Sequence, residues 1–151
     1  MASLQEQINN DLKQAMRDKN ELVLSTLRML LAAIKNKAIA MRDGSGVELT
    51  DEQIQEAVAT EIKKRQDSIE SYTAGNRPEL AEKERAEAEI LKTYLPEQAT
   101  DEEIEAVVKE VIGAGAVEFG RAMGQAMARL KGKADGKRVG EMVKKLIGGS
   151  L

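Results

Sequence analysis

Apolar residues recur every three or four positions along almost the whole chain, and this spacing constrains the fold more than any other feature. Such spacing places apolar side chains on one face of an α-helix, whereas a half-buried strand requires a period of two. Aromatic residues make up only 2% of the 151 residues, so the core must be built from leucine, isoleucine, valine, methionine and alanine. These residues, with glutamate, lysine, glutamine and arginine between them, favour helix over strand. The sequence therefore predicts an all-α protein.

Four helices are predicted in residues 1–95, which we expect to form a helical N-terminal domain. Their predicted starts are the capping residues Ser3 and Thr50, a position near Asn20, and the first-turn proline Pro78. The apolar stripe of the first helix is predicted to end at Met16. The second helix should extend to about Arg42, before a loop at residues 43–46, and the fourth should extend to Tyr94.

Three shorter helices are predicted in residues 96–151, which we expect to form a second, C-terminal domain. Pro96 marks the boundary, because proline disfavours helix in the residue before it. Thr100 and Asp135 are predicted to cap the first and third of these helices. The apolar stripe of the middle helix, expected to lie in the core, consists of Phe119, Met123 and Met127.

The composition excludes several kinds of active site. The chain contains no cysteine and no histidine, so disulfides, thiolate zinc sites and Ser-His or Cys-His catalysis are excluded. Ser25 has no base partner and makes a poor nucleophile. The run of Asp101, Glu102 and Glu103 is explained by the dipole at a helix N-terminus rather than by a metal. The sequence therefore predicts no catalytic residues, no metal site and no cofactor.

Two general properties bear on location. The N-terminus is polar, and no apolar run approaches the length of about 18 residues that a membrane span requires. The absence of cysteine is compatible with a reducing compartment. From these properties the sequence predicts a cytoplasmic protein with no membrane partner.

Charge is polarised along the second predicted domain. Residues 96–120 carry a net charge of −6, whereas residues 121–147 carry +6. A basic face can neutralise phosphates and release counterions, which makes RNA binding a candidate function. The alternative is a solvated face with cations placed near a helix C-terminus, where they are favourable anyway. The candidate RNA-binding residues are Arg129, Lys131, Lys133, Lys137, Arg138, Lys144 and Lys145.

Two smaller features support competing interpretations. Residues 131–137 combine two glycines and three lysines before a helix N-terminus, which suits a phosphate. The spacing is not that of a Walker loop, and a capping Asp135 would occupy the same N–H groups, so an interhelix turn is the alternative. Gly120 and Gly124 lie four residues apart and would offer another helix a smooth surface, as in a protein–protein adaptor.

Several strings resemble the YqeY family, which is related to the tail of the B subunit of the tRNA-dependent amidotransferase. They are residues 25–30 (STLRML), 64–70 (KRQDSIE) with Tyr72, 94–98 (YLPEQ), 123–124 (MG) and 131–137 (KGKADGK). The strings span nearly the whole chain in the family's order. The resemblance implies a helical N-terminal domain, a small three-helix C-terminal domain, a bacterial-type protein and contact with tRNA.

Three functional hypotheses follow. The first is a tRNA-associated accessory protein, and the second is a protein–protein adaptor without RNA binding. The third is a glutamine-dependent carbon–nitrogen ligase acting with amidotransferase or other protein subunits. The chain lacks the kinase-like domain and the Ser-Ser-Lys arrangement of that enzyme, so we expect no amidation by the purified chain. The oligomeric state is not determined by the sequence.

Overall fold

The structure is a computed structural model, and it describes residues 3–41 and 48–148. The described residues form seven α-helices and contain no β-strand, which confirms the all-α prediction. The chain divides into two compact units, Met1–Leu95 and Pro96–Leu151. Independent folding of these units as two domains stays a prediction.

The first unit contains α1 (Leu4–Asp18), α2 (Glu21–Ala40), α3 (Asp51–Ala74) and α4 (Pro78–Lys92). The first three begin at caps, because the side chains of Ser3, Asn20 and Thr50 each accept a first-turn backbone N–H. At α3 the capping box is complete, since the Thr50 N–H donates to Gln53 Oε1 at 2.8 Å. Pro78 begins α4, where its missing N–H costs no hydrogen bond.

The ends of two helices differ from the sequence prediction. Helix α4 ends at Lys92 rather than Tyr94, because three successive backbone N–H groups, the last that of Leu95, bond to the carbonyl three residues earlier. Such bonds tighten the chain out of α-helical geometry. Helix α2 ends at Ala40, and the predicted end at Arg42 and the loop at 43–46 lie outside the described residues.

Aliphatic side chains fill the core of the first unit. The fully buried members include Ile8, Leu27, Leu30, Ile54, Val58 and Leu91. The prediction that Met16 belongs to this core is wrong, because its side chain is 53% exposed. The inward face of α1 passes through Ala15, and each further residue turns about 100° around the helix axis, which carries Met16 away from the core.

A buried ion-pair network joins α3 to α4. Arg65 is only 3% exposed, and its guanidinium lies 3.2 Å from Glu61 Oε1 and 3.2 Å from Glu87 Oε2. The same guanidinium lies 3.6 Å from the Met29 sulfur of α2. Burial and the neighbouring Glu87 carboxylate raise the pKa of Glu84, and Arg65 opposes this shift. The network therefore links three helices of the first unit through one guanidinium.

Tyr94 links the turn after α4 to α1. Its side chain is buried, and its hydroxyl donates a 2.6 Å hydrogen bond to Asp11 Oδ2. Burial and this hydrogen bond raise the pKa of Tyr94 above its ordinary value, because both favour the neutral phenol. A phenol combines an apolar ring with a polar hydroxyl tip, which suits a buried position next to a carboxylate.

The second unit contains α5 (Asp101–Gly113), α6 (Phe119–Arg129) and α7 (Gly136–Gly148). Thr100 accepts the Glu103 N–H at 3.1 Å, and Asp135 Oδ1 accepts the Arg138 N–H at 2.8 Å, which confirms both predicted caps. All three helices contribute to one core. Its fully buried members include Ile104, Val108, Ala122, Ala126, Val139 and Val143.

The predicted core stripe of α6 is wrong at its first member. Phe119 is 44% exposed, while Met123 and Met127 are half-buried at the margin of the core. The face that α6 buries is instead marked by Ala122 and Ala126, whose small side chains allow close packing against the neighbouring helices. Phe119 therefore lies on the surface of the second unit.

Candidate nucleic-acid interface

The loop between α6 and α7 is held against the segment that opens the second unit. The Ala99 N–H donates to the Lys133 carbonyl at 2.7 Å, and the Gln98 side-chain amide donates to the Gly132 carbonyl at 2.9 Å. The structure thus brings together Gln98 and Gly132, which belong to two of the strings that carry the family resemblance. These bonds give the loop a structural role as an interhelix turn.

Gly132 is required by this arrangement rather than by a phosphate. Its φ is +75°, in the left-handed region that glycine adopts without steric cost. A Cβ at this position would lie 3.3 Å from Pro96 Cγ, tighter than an ordinary contact. The space beside Gly132 is therefore occupied by Pro96, and the side chains of Lys131 and Lys133 are exposed.

The N-terminus of α7 is already occupied by a carboxylate. Asp135 Oδ1 accepts the Arg138 N–H at 2.8 Å, as an N-cap does. A phosphate at the same place would compete for that N–H and meet the negative charge of the cap. The loop and the α7 N-terminus together are therefore poorly suited to cradle a phosphate through backbone groups.

The exposed face of α7 carries three lysines. Lys137 and Lys144 lie seven residues apart, close to two turns, so they share one face of the helix, and Lys145 is adjacent to it. Glu141 is the acid on the same face, and the opposite side is buried in the core. Five exposed lysines of the second unit thus follow one another between positions 131 and 145, and we call them the lysine surface: Lys131, Lys133, Lys137, Lys144 and Lys145.

The two candidate arginines are held by carboxylates of α5. Arg129 Nη2 lies 2.5 Å from Glu110 Oε2, and Arg138 Nη2 lies 2.8 Å from Asp101 Oδ1. Arg138 also donates to the Ala99 carbonyl at 3.0 Å. The acidic and basic stretches of the sequence therefore meet in part within the second unit. These two guanidiniums contribute to its packing, and less of their charge is available to an outside anion.

Phe119 is a surface residue that the sequence analysis missed. The ammonium of Lys144 lies 5.8 Å from the centroid of the Phe119 ring, within cation–π range. The sequence placed Phe119 in the core because it shares helical spacing with Met123 and Met127. A competing stripe through Ala122 and Ala126 was equally visible in the sequence, and only packing decides between the two.

The first unit contains a cleft with a volume of about 470 Å³. Its lining residues are Glu21, Leu22, Leu24, Ser25, Arg28 and Lys83. The Ser25 hydroxyl donates to the Leu22 carbonyl at 3.2 Å, a local bond typical of serine within a helix. This bond agrees with the view that Ser25 is not an activated nucleophile.

The part of the chain that the structure describes contains neither a cluster of metal-ligating side chains nor a membrane-spanning helix. Within residues 3–41 and 48–148, three or more Asp, Glu, Cys or His side chains do not come together in a way that could hold a metal ion. Over the same residues, every helix is too short or too polar to cross a membrane.

Comparison with known proteins decides the family. The model of the YqeY-like protein family matches residues 5–147, nearly the whole chain. The chain belongs to this family. The resemblance carried by the five sequence strings is thereby confirmed.

Curated relatives of this YqeY-like protein carry the name "Altered inheritance of mitochondria protein 41, mitochondrial". The protein from Pyrenophora tritici-repentis is 33% identical over 144 residues, which cover 91% of this chain and 77% of the relative. The protein from Lachancea thermotolerans is 38% identical over 107 residues, covering 70% of this chain and 56% of the relative. The protein from Saccharomyces cerevisiae strain YJM789 is 34% identical over 98 residues, which cover 65% of this chain and 51% of the relative. The chain thus spans about half the length of two of these relatives.

These names correct the prediction of a cytoplasmic location. The relatives are named as mitochondrial proteins and come from eukaryotes, which also removes the basis for a bacterial-type assignment. The prediction failed because a polar sequence without cysteine suits any water-filled reducing compartment and does not distinguish one from another.

Proposed function

We propose that this YqeY-like protein is an accessory protein that binds RNA of the tRNA class through the lysine surface of its second unit. The observation that carries the proposal is the exposure of all five lysines within residues 131–145. Two acids fall in the same stretch, and one of them, Asp135, already caps α7. The surface is therefore positive on balance.

The physical basis of the proposal is phosphate neutralisation. Lysine ammoniums on flexible stems act as point charges that follow an irregular phosphate backbone, and each neutralised phosphate releases condensed counterions. Binding of this kind is sensitive to salt. The choice of tRNA comes from the resemblance of residues 123–137 to the tail of the amidotransferase B subunit. A role beside that enzyme is part of the same proposal.

The test uses a lysine pair on α7 and a matched pair elsewhere. We expect K144Q/K145Q to weaken tRNA binding and to lower the slope of log K against log salt by about 1.5, since two phosphate contacts are lost. The matched control is K63Q/K64Q, an adjacent and exposed lysine pair on α3 that changes the net charge by the same amount. Fluorescence anisotropy with labelled tRNA over a series of salt concentrations measures both quantities.

Two results would count against RNA binding. The first is a wild-type protein that shows no salt-sensitive binding to tRNA at micromolar concentration. The second is an equal loss of affinity in K144Q/K145Q and K63Q/K64Q, which would indicate a non-specific effect of net charge.

A protein–protein adaptor is the second candidate, and a separate surface favours it. Gly120 and Gly124 are exposed on α6, and a Cβ built at either meets no atom within 4 Å. Val117, just before α6, is 62% exposed. A partner helix could approach this surface closely. Capture of partners with and without ribonuclease separates the two functions, because a partner that survives the nuclease favours the adaptor.

A further inference from the structure

We infer that Phe119 is a stacking platform for an unpaired base of the bound RNA, with Lys144 beside it to hold the adjoining phosphate. The inference rests on the proposed function and specifies the form of RNA that the second unit selects. It adds to the lysine surface an aromatic residue whose contribution is independent of salt. The following observations carry it.

The first observation is the exposure of an aromatic ring where burial would be expected. Phe119 is the one phenylalanine of the chain, and 44% of its surface is open to solvent. Phenylalanine is more often buried than exposed, because burying its ring removes a large apolar surface from water. An exposed ring next to cations is the combination that proteins use to bind unpaired nucleotides, with bases on the ring and phosphates on the cations.

The second observation is that the ring has a fixed support. Gly140 of α7 is buried, and a Cβ built on it would lie 4.0 Å from Phe119 Cζ and 3.8 Å from the Met123 sulfur. The edge of the ring therefore packs close to the backbone of α7. A ring held in this way loses little side-chain entropy when a base stacks on it.

The third observation is the charge around the ring. The Lys144 ammonium lies 5.8 Å from the ring centroid. Its stem can remain against the ring while the ammonium contacts a phosphate. Arg121 and Lys145 are also exposed, and the nearby acids in sequence are Glu118, adjacent to Phe119, and Glu141, three residues before Lys144. The aromatic and cationic groups thus suit an unpaired nucleotide better than a neutral apolar helix.

The experiment compares single-stranded oligoadenylate with an RNA duplex of the same length. We expect Phe119→Leu, which keeps an apolar side chain but removes the π face, to weaken oligoadenylate binding about 5- to 100-fold. Binding of the duplex should be unchanged, because its bases are already stacked on one another. The salt dependence should also be unchanged, since no charge is removed.

A second variant reports on the ring directly. The chain contains no tryptophan and two tyrosines, so Phe119→Trp places a single tryptophan, which can be excited selectively, at the proposed platform. We expect this variant to retain binding and its emission to be quenched by oligoadenylate but not by the duplex. Equal thermal midpoints for both variants and the wild type show that folding is intact.

Four outcomes would overturn the inference. The first is an affinity for oligoadenylate that is the same in Phe119→Leu and in the wild type. The second is a Phe119→Trp emission that does not change at saturating oligoadenylate. If either occurs while K144Q/K145Q still weakens RNA binding, stacking is wrong and the proposed function stands. The third is loss of a nuclease-resistant protein partner in Phe119→Leu with RNA binding intact, which would assign the ring to a protein contact. A wild type that binds neither probe contradicts both proposals.

Discussion

Arg65 places a buried positive charge in the first unit. Its guanidinium is desolvated between two carboxylates, those of Glu61 and Glu87, which are themselves buried. A buried pair of this kind contributes little net stability compared with an apolar replacement of the whole set. Removing one member alone is different, because the remaining charges stay buried without compensation.

We expect Arg65→Met to lower the free energy of unfolding by about 3–5 kcal/mol, since it leaves Glu87 buried without its cation and Glu61 paired only with the exposed Lys64. The matched control is Lys64→Met. Lys64 also pairs with Glu61, at 3.1 Å, but its side chain is exposed, so its loss should cost about 1 kcal/mol or less. Urea unfolding followed by circular dichroism measures both. Equal stabilities of the two variants would show that the buried network is not needed for stability.

At the scale of elements, the α6–α7 loop is the connection that holds the second unit in its shape. The loop is bound through two hydrogen bonds to residues 98 and 99 and packs its glycine against Pro96. A loop of this length with a left-handed residue has few alternative conformations. The same contacts determine where Lys131 and Lys133 are displayed, so loop geometry and the proposed binding surface depend on each other.

Gly132→Ala should lower the stability of the second unit by about 1–2 kcal/mol, because alanine is strained at positive φ and its Cβ would press on Pro96. Gly136→Ala is the control. Gly136 begins α7, and a Cβ there meets nothing within 4 Å, so this change should be neutral or slightly stabilising. Thermal unfolding of the two variants provides the comparison. A Gly136→Ala variant as destabilised as Gly132→Ala would contradict the assigned role of Gly132.

At the scale of the whole molecule, two separate apolar cores account for the stability of the chain. The first is built from α1–α4 and the second from α5–α7, and each contains its own set of fully buried aliphatic residues. Both units are small, and a unit of about 60 residues buries only about 60% of the surface of its unfolded chain. The second unit is therefore expected to be the less stable of the two.

We expect the fragment 96–151 to fold without residues 1–95, since its core residues all lie within it. The expected result is a helical circular dichroism spectrum and a cooperative thermal transition at a lower temperature than that of the fragment 1–95. A non-cooperative melt of fragment 96–151 would show that the two units are not independent domains. If fragment 96–151 folds, anisotropy measurements with it and labelled tRNA test whether the second unit binds RNA by itself.

Local signals in the sequence were sufficient to predict the helices and most of their starts. The caps predicted at Ser3, Thr50, Thr100 and Asp135 hold in the structure, and α2 starts next to Asn20 as predicted. A cap depends on a few neighbouring residues, so its energetics are readable from sequence alone. The all-α class followed in the same way from helical spacing, and the family strings followed from residue identity.

Tertiary structure decided which face of each helix is buried and which charges are paired. A helix such as α6 has two apolar stripes, and only contact with α5 and α7 chose the one through Ala122 and left Phe119 outside. Likewise, the sequence shows Arg129 and Arg138 only as basic residues, whereas the fold places carboxylates of α5 against them. Packing and pairing depend on residues distant in the chain, and periodicity carries no information about which of these will meet.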